Sequence, residues 1–167
     1  TLVIGGMVFS VSKADIVKNF SNDTGLSQEE SQQYVENVKK DDLVPFDKLG
    51  SDLVSDGQSV LSEATNLDCV NYSYKWESVA LTCPEGKSQL IMFGNDEIAL
   101  GKAYITLASK SASKDDMSSV ISLIDRNNAD LKLEIVINVL DPKTLDETRK
   151  TNSYNKALLK SALESKE

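Results

Sequence analysis

Three serine and lysine pairs, Ser10/Lys13, Ser111/Lys114 and Ser153/Lys156, have the S-x-x-K spacing by which one helical turn can bring an amine to a hydroxyl. In penicillin-binding enzymes this spacing builds an acyl-transfer nucleophile, together with S-D-N and K-T-G elements that this sequence lacks. With serine abundant, chance accounts for all three pairs. Adjacent acids at Glu29/Glu30, Asp41/Asp42 and Asp115/Asp116 resemble acid-base pairs, yet neighbours in a helix point to different faces, so they read as caps and solvating charge. The chain contains no histidine, which removes Ser-His-Asp and Cys-His activation, Cys/His zinc sites and the ordinary near-neutral base. Asp52 and Asp56 precede Gly57, but the alternating ligands and closing glutamate of a calcium loop do not follow. No G-x-G-x-x-G, phosphate loop or metal-ligand spacing occurs, so neither a cofactor nor a metal is expected.

Cys69 and Cys83 are the only cysteines. A thioredoxin-type dithiol needs C-x-x-C at a helix start and zinc needs four ligands, so the expectation is a structural disulfide in an oxidising compartment. Free buried thiols in a cytoplasmic chain are the alternative. Between the cysteines, Tyr72, Tyr74 and Trp76 alternate with polar residues. At strand spacing such a stripe is more often a core face than a ligand platform, and both readings are kept.

The elements that would position these residues begin with an apolar, uncharged stretch, Leu2–Val11, ahead of small residues. Residues 1–14 are expected to be a leader remnant, the outer end of a membrane anchor, or a first core element, since spanning takes about 20 apolar residues. Ile16, Val17 and Phe20 share a helical face. Ser27 and Glu30 have capping-box spacing for a second helix carrying Tyr34, Val35 and Val38. The segment from Lys13 to Val38 resembles the opening helices of HU-type bacterial DNA-binding proteins in Lys13, Asp15, Ile16, Val17, Thr24, Gly25, Leu26, Ser27 and Glu30. The resemblance implies a helix–turn–helix start only. No basic β-arm follows and the segment is acidic, so no function is carried over.

A third helix is expected over residues 47–56. Alternation at 72–83, the turn "CPEGK", and apolar runs at 90–93, 101–109 and 131–139 predict strands. Ser113 and Asp116 cap a helix bearing Met117, Val120, Ile121 and Ile124, and Thr144 with Glu147 is expected to cap a last one. The predicted fold class is therefore α+β: an N-terminal helical segment, then a mixed, mainly antiparallel sheet with helices packed on one face. Residues 15–167 form one domain, with an acidic helical part (15–66), a sheet with one helix (67–140) and a C-terminal helix (141–167).

Across 167 residues, 18 basic and 26 acidic side chains give a net charge of −8, concentrated in the first third. That balance opposes binding to nucleic acid and to anionic lipid, leaving membrane contact to the N-terminal segment alone. The function expected is a non-catalytic protein-interaction domain of the bacterial cell envelope, periplasmic or anchored facing the periplasm. Its candidate protein-binding residues are Glu29, Glu30, Glu36, Asp41 and Asp42. Alternatives are an inhibitor or immunity protein capping a basic enzyme site, a small-ligand module using Tyr72, Tyr74 and Trp76, and a histidine-independent hydrolase.

Overall fold

The computed structural model describes residues 2–4, 7–38, 45–71, 81–109 and 113–165. Two short strands, β1 (Leu2–Ile4) and β2 (Met7–Phe9), pair antiparallel with Leu2 opposite Phe9. Among the described residues seven helices follow: α1 (Lys13–Thr24), α2 (Gln28–Asn37), α3 (Phe46–Thr65), α4 (Cys83–Ala108), α5 (Lys114–Asp130), α6 (Glu134–Val139) and α7 (Pro142–Ser165). The described residues are thus mostly helical, and the α+β expectation is corrected: the sheet on which helices were to pack is a stack of helices. The expected strand at 90–93 lies within α4, that at 101–109 runs from α4 to its C-cap, and most of the 131–139 alternation forms α6. The run 72–80 lies outside the described residues.

Local signals explain why these segments coil. Thr82 accepts the Glu85 N–H while the Glu85 side chain accepts the Thr82 N–H, and Pro84 sits in the first turn, so α4 starts on a complete capping box. Behind that start, Phe93, Leu100 and Leu107 recur every seven residues and are buried, which is helical spacing. The boxes expected at Ser27/Glu30 and Ser113/Asp116 are both present, opening α2 and α5. The last helix begins earlier than Thr144: Asp141 accepts the Thr144 N–H at 2.9 Å and its hydroxyl at 2.6 Å, with Pro142 as the first helical residue. In the α6 region Leu131, Ile135 and Val136 are buried while Ile137 and Val139 are exposed. The alternation on which a strand was predicted is therefore not a division between inside and outside.

α3 and α4 form a long antiparallel hairpin with small residues at its seam. Gly50, Gly57 and Ala64, seven apart on α3, are buried, as are Gly94 and Gly101 on α4. A Cβ placed on Gly50 would lie 2.5 Å from the Gly101 carbonyl oxygen, and one on Gly57 would lie 2.7 Å from that of Gly94. Only glycine lets the two backbones run this close. The disulfide between Cys69 and Cys83, with Cα atoms 5.5 Å apart, joins the chain after α3 to the first residue of α4. The pairing expected from sequence is thus present, but it ties two helices rather than two strands.

α5 packs on α4, α7 on α5, α1 on α7 and α2 on α1. Ile4 and Phe9 of the β-hairpin join Leu100, Tyr104, Val120, Ile124 and Leu159 in one core cluster. A second unites Val17 and Phe20 of α1 with Val35 of α2 and Tyr154 and Leu158 of α7. Burying each such large apolar side chain contributes about 1.5–3 kcal/mol.

Candidate functional site

Most of the chemistry suggested by sequence is absorbed by structure. Of the S-x-x-K pairs, Ser153 and Lys156 on α7 do meet, but on a common acid: the Ser153 hydroxyl donates to Asp23 at 2.5 Å and the Lys156 amine donates to the same carboxylate at 2.6 Å. Lys156 also pairs with Asp125 at 2.6 Å. Partial burial alone would lower the lysine's pKa, but hydrogen bonds and charge from Asp125 and Asp23 outweigh it and raise the value. The amine stays cationic and clamps α1, α5 and α7 together; it is not a base for Ser153. Lys13 lies 3.9 Å from Glu36, and Ser111 is outside the described residues.

Of the five residues of the expected acidic docking face, Glu29, Glu30 and Glu36 lie among the described residues, on α2. Glu30 is spent on the α2 capping box. Glu36 accepts from Gln32 and approaches Lys13. Glu29 is exposed in the first turn of α2. Asp41 and Asp42 lie outside the described residues, as do Tyr72, Tyr74 and Trp76 of the proposed aromatic face.

A different site emerges between α3, α4, α5, α6 and α7: a cavity of about 830 Å³. Its size lies within the range of small-ligand pockets, roughly 300–1,000 Å³. The walls are largely apolar, with Leu53 and Val60 from α3, Phe93 from α4, Leu131, and Val136 from α6. Leu53 and Val60 stand one turn after Gly50 and Gly57, and Phe93 precedes Gly94, so these wall residues flank the small-residue seam in sequence. Gln89 accepts the Ile135 N–H at 3.2 Å, and Arg149 donates to the Leu131 carbonyl at 2.9 Å, which fixes α6 over one side. Asn152 of α7 donates to Asn127 of α5 at 2.8 Å at the cavity lining, and both are buried.

Glu97 is the exception in this wall. It is only 4% exposed and lines the cavity, and its Oε2 has no hydrogen-bond partner among the described residues. Burial raises its pKa, and the hydrogen bond and charge of the neighbouring Asp56 raise it further, to about 9. At neutral pH Glu97 is therefore a protonated acid, its Oε2 left as an unanswered acceptor among the described residues. Asp56, Glu63 and Glu147 add three more carboxyls to the lining, and no lysine or arginine is among its described residues. Outside the cavity lining, at the end of α5, Asp130 is pushed up to about 7, first by burial and then by Asp96, while Arg126 lies 3.6 Å from Asp96.

Sequence reasoning did not single out Glu97. The available signal was an acid at position 97 inside the seven-residue repeat of buried α4 residues, where an apolar side chain is the rule. Among the described residues, no group of three or more His, Cys, Asp or Glu is arranged to hold a metal ion, and no helix is long and apolar enough to cross a membrane. Compared with known proteins, the chain matches no family model, no curated relative and no solved structure, so any functional reading rests on its own geometry.

Proposed function

We propose that this chain is a non-catalytic binding domain of the bacterial cell envelope, working in the periplasm, whose cavity between α3, α4, α5, α6 and α7 holds a small, largely apolar ligand. The observation that carries the reading is the apolar-walled cavity of about 830 Å³ with three buried polar residues, Glu97, Asn127 and Asn152, in its lining. Apolar walls supply affinity and a few placed polar groups supply orientation. The disulfide supports an oxidising compartment. The lack of histidine and the ion-paired state of Lys156 support binding rather than catalysis.

The test is titration with N-phenyl-1-naphthylamine, a neutral dye that brightens in apolar surroundings. Saturable enhancement is expected, weakened at least tenfold by Ser59→Phe with Thr148→Phe, which crowd the lining. No enhancement in the unaltered protein, or enhancement indifferent to those substitutions, would refute the reading.

A protein partner is the second reading, favoured by Ile137 and Val139. These stand 49% and 62% exposed on α6, and Val139 also lines the cavity. Under that reading Ile137→Asp abolishes association with the partner while leaving dye binding intact.

A further inference from the structure

The cavity lining has a charge pattern that a purely apolar ligand would leave unanswered. Asp56 and Glu63 face it from α3, Glu97 from α4 and Glu147 from α7, with Asn127 of α5 and Asn152 of α7 as neutral neighbours. No basic side chain stands among the described lining residues. Most of these acids reach solvent, but Glu97 does not, and its Oε2 has no partner among the described residues. A buried polar atom without a partner is rare because it forfeits the hydrogen bond it had with water.

We infer that the cavity takes an amphiphilic organic amine, its apolar body against Phe93, Leu131 and Val136 and its ammonium group bonded to Glu97 Oε2 beside Asp56. This rests on the ligand-binding reading above and adds the chemical class of the ligand. An ammonium supplies the donor that Oε2 lacks and the charge that the acids call for. A metal ion would need a ligand cluster not found among the described residues, whereas one amine needs only one or two carboxylates. A carboxylate-bearing amphiphile would meet repulsion from Asp56, Glu63 and Glu147.

Binding must move a proton. Before binding Glu97 is protonated at neutral pH. Afterwards an ammonium and a carboxylate face each other, so one proton passes from Glu97 to solvent for each amine bound. Affinity should therefore rise about tenfold per pH unit up to about pH 9 and level off above it.

The experiment is calorimetric titration of the whole chain at pH 7.5 with octylammonium chloride, 1-octanol and sodium octanoate. Each is run in phosphate and in Tris, whose different ionisation heats count the protons exchanged. Octylammonium is expected to bind at least tenfold tighter than 1-octanol with release of about one proton, and octanoate more weakly than either. Glu97→Gln should lose both the amine preference and the proton release. Asp56→Asn, at an exposed position, removes the carboxylate that raises the Glu97 pKa and should move the pH at which amine affinity levels off downward. In each variant 1-octanol reports whether the cavity has formed. Equal affinity for octanol and octylammonium, or an amine preference that survives Glu97→Gln, overturns this inference and leaves the ligand-binding reading standing. Failure of all three probes on the unaltered protein removes both.

Discussion

Replacing Gly57 by alanine tests whether close backbone approach organises the α3–α4 hairpin. In an exposed helix this change stabilises by about 1 kcal/mol, because alanine has less backbone freedom to lose. Here the new Cβ would sit 2.7 Å from the Gly94 carbonyl oxygen and 2.7 Å from Cγ1 of Ile98. Unstrained carbon contacts need about 3.5–4.0 Å, so the helices must part by roughly 1 Å or bend. The partner atom is backbone, which cannot rotate aside. Overpacking of this kind costs about 1–3 kcal/mol, and parting the helices also loosens Gly50 against Gly101 along the same seam. Net of the helical gain, Gly57→Ala is expected to destabilise by about 1–2 kcal/mol. Urea unfolding followed by far-ultraviolet circular dichroism gives the midpoint, with an unchanged slope showing that only stability moved. Gln58→Ala, exposed on the same helix, is the control and should stay within about 0.5 kcal/mol of the parent. A Gly57→Ala protein about 1 kcal/mol more stable than the parent would show that the seam has room, and the account of the hairpin would fail.

Two further outcomes follow from the same packing. Glu97 has a pKa of about 9 in the fold against an ordinary 4.5, so the folded chain holds a proton that the unfolded chain has released. Its contribution is greatest below pH 4.5 and declines until about pH 9, at no more than about 1.4 kcal/mol per pH unit. Asp130, at about 7, acts with the same sign but is spent by neutrality; Glu97→Gln should therefore flatten the fall in denaturation midpoint between pH 7 and 9, and an unchanged fall would contradict the burial argument. Replacing Cys69 and Cys83 by serine should cost roughly 3 kcal/mol, the chain-entropy value for a loop of this length, read as the loss in unfolding free energy under non-reducing conditions. Loss of less than about 0.5 kcal/mol would mean that the glycine seam alone holds the tip of the hairpin.

Several features were readable from residue type and short spacing, because the physics behind them is local. The capping boxes at Ser27/Glu30 and Ser113/Asp116 need only a hydroxyl and a carboxyl three residues apart, and both formed. The cysteine pairing was readable because other cysteine chemistries demand partners that the sequence lacks. Absence of histidine excluded whole reaction classes without any structure. The strand assignments failed where short apolar windows fit two periods. Residues 90–93 look like a strand alone, but the repeat through Phe93, Leu100 and Leu107, begun by the Thr82/Glu85 box, is helical over its full length.

The cavity was not legible at all. Its lining comes from five helices, so neither its existence nor its size follows from any one segment. Glu97 illustrates the division. Its identity as a carboxylic acid is written in the chain, whereas its protonation at neutral pH is decided by burial in α4 and by an Asp56 brought from α3 across the seam. Local spacing determined caps, the disulfide and the chemistry that is excluded. Tertiary packing decided which helices touch, which acid loses its water, and where a space remains for a ligand, since desolvation and close approach depend on residues far apart in the chain.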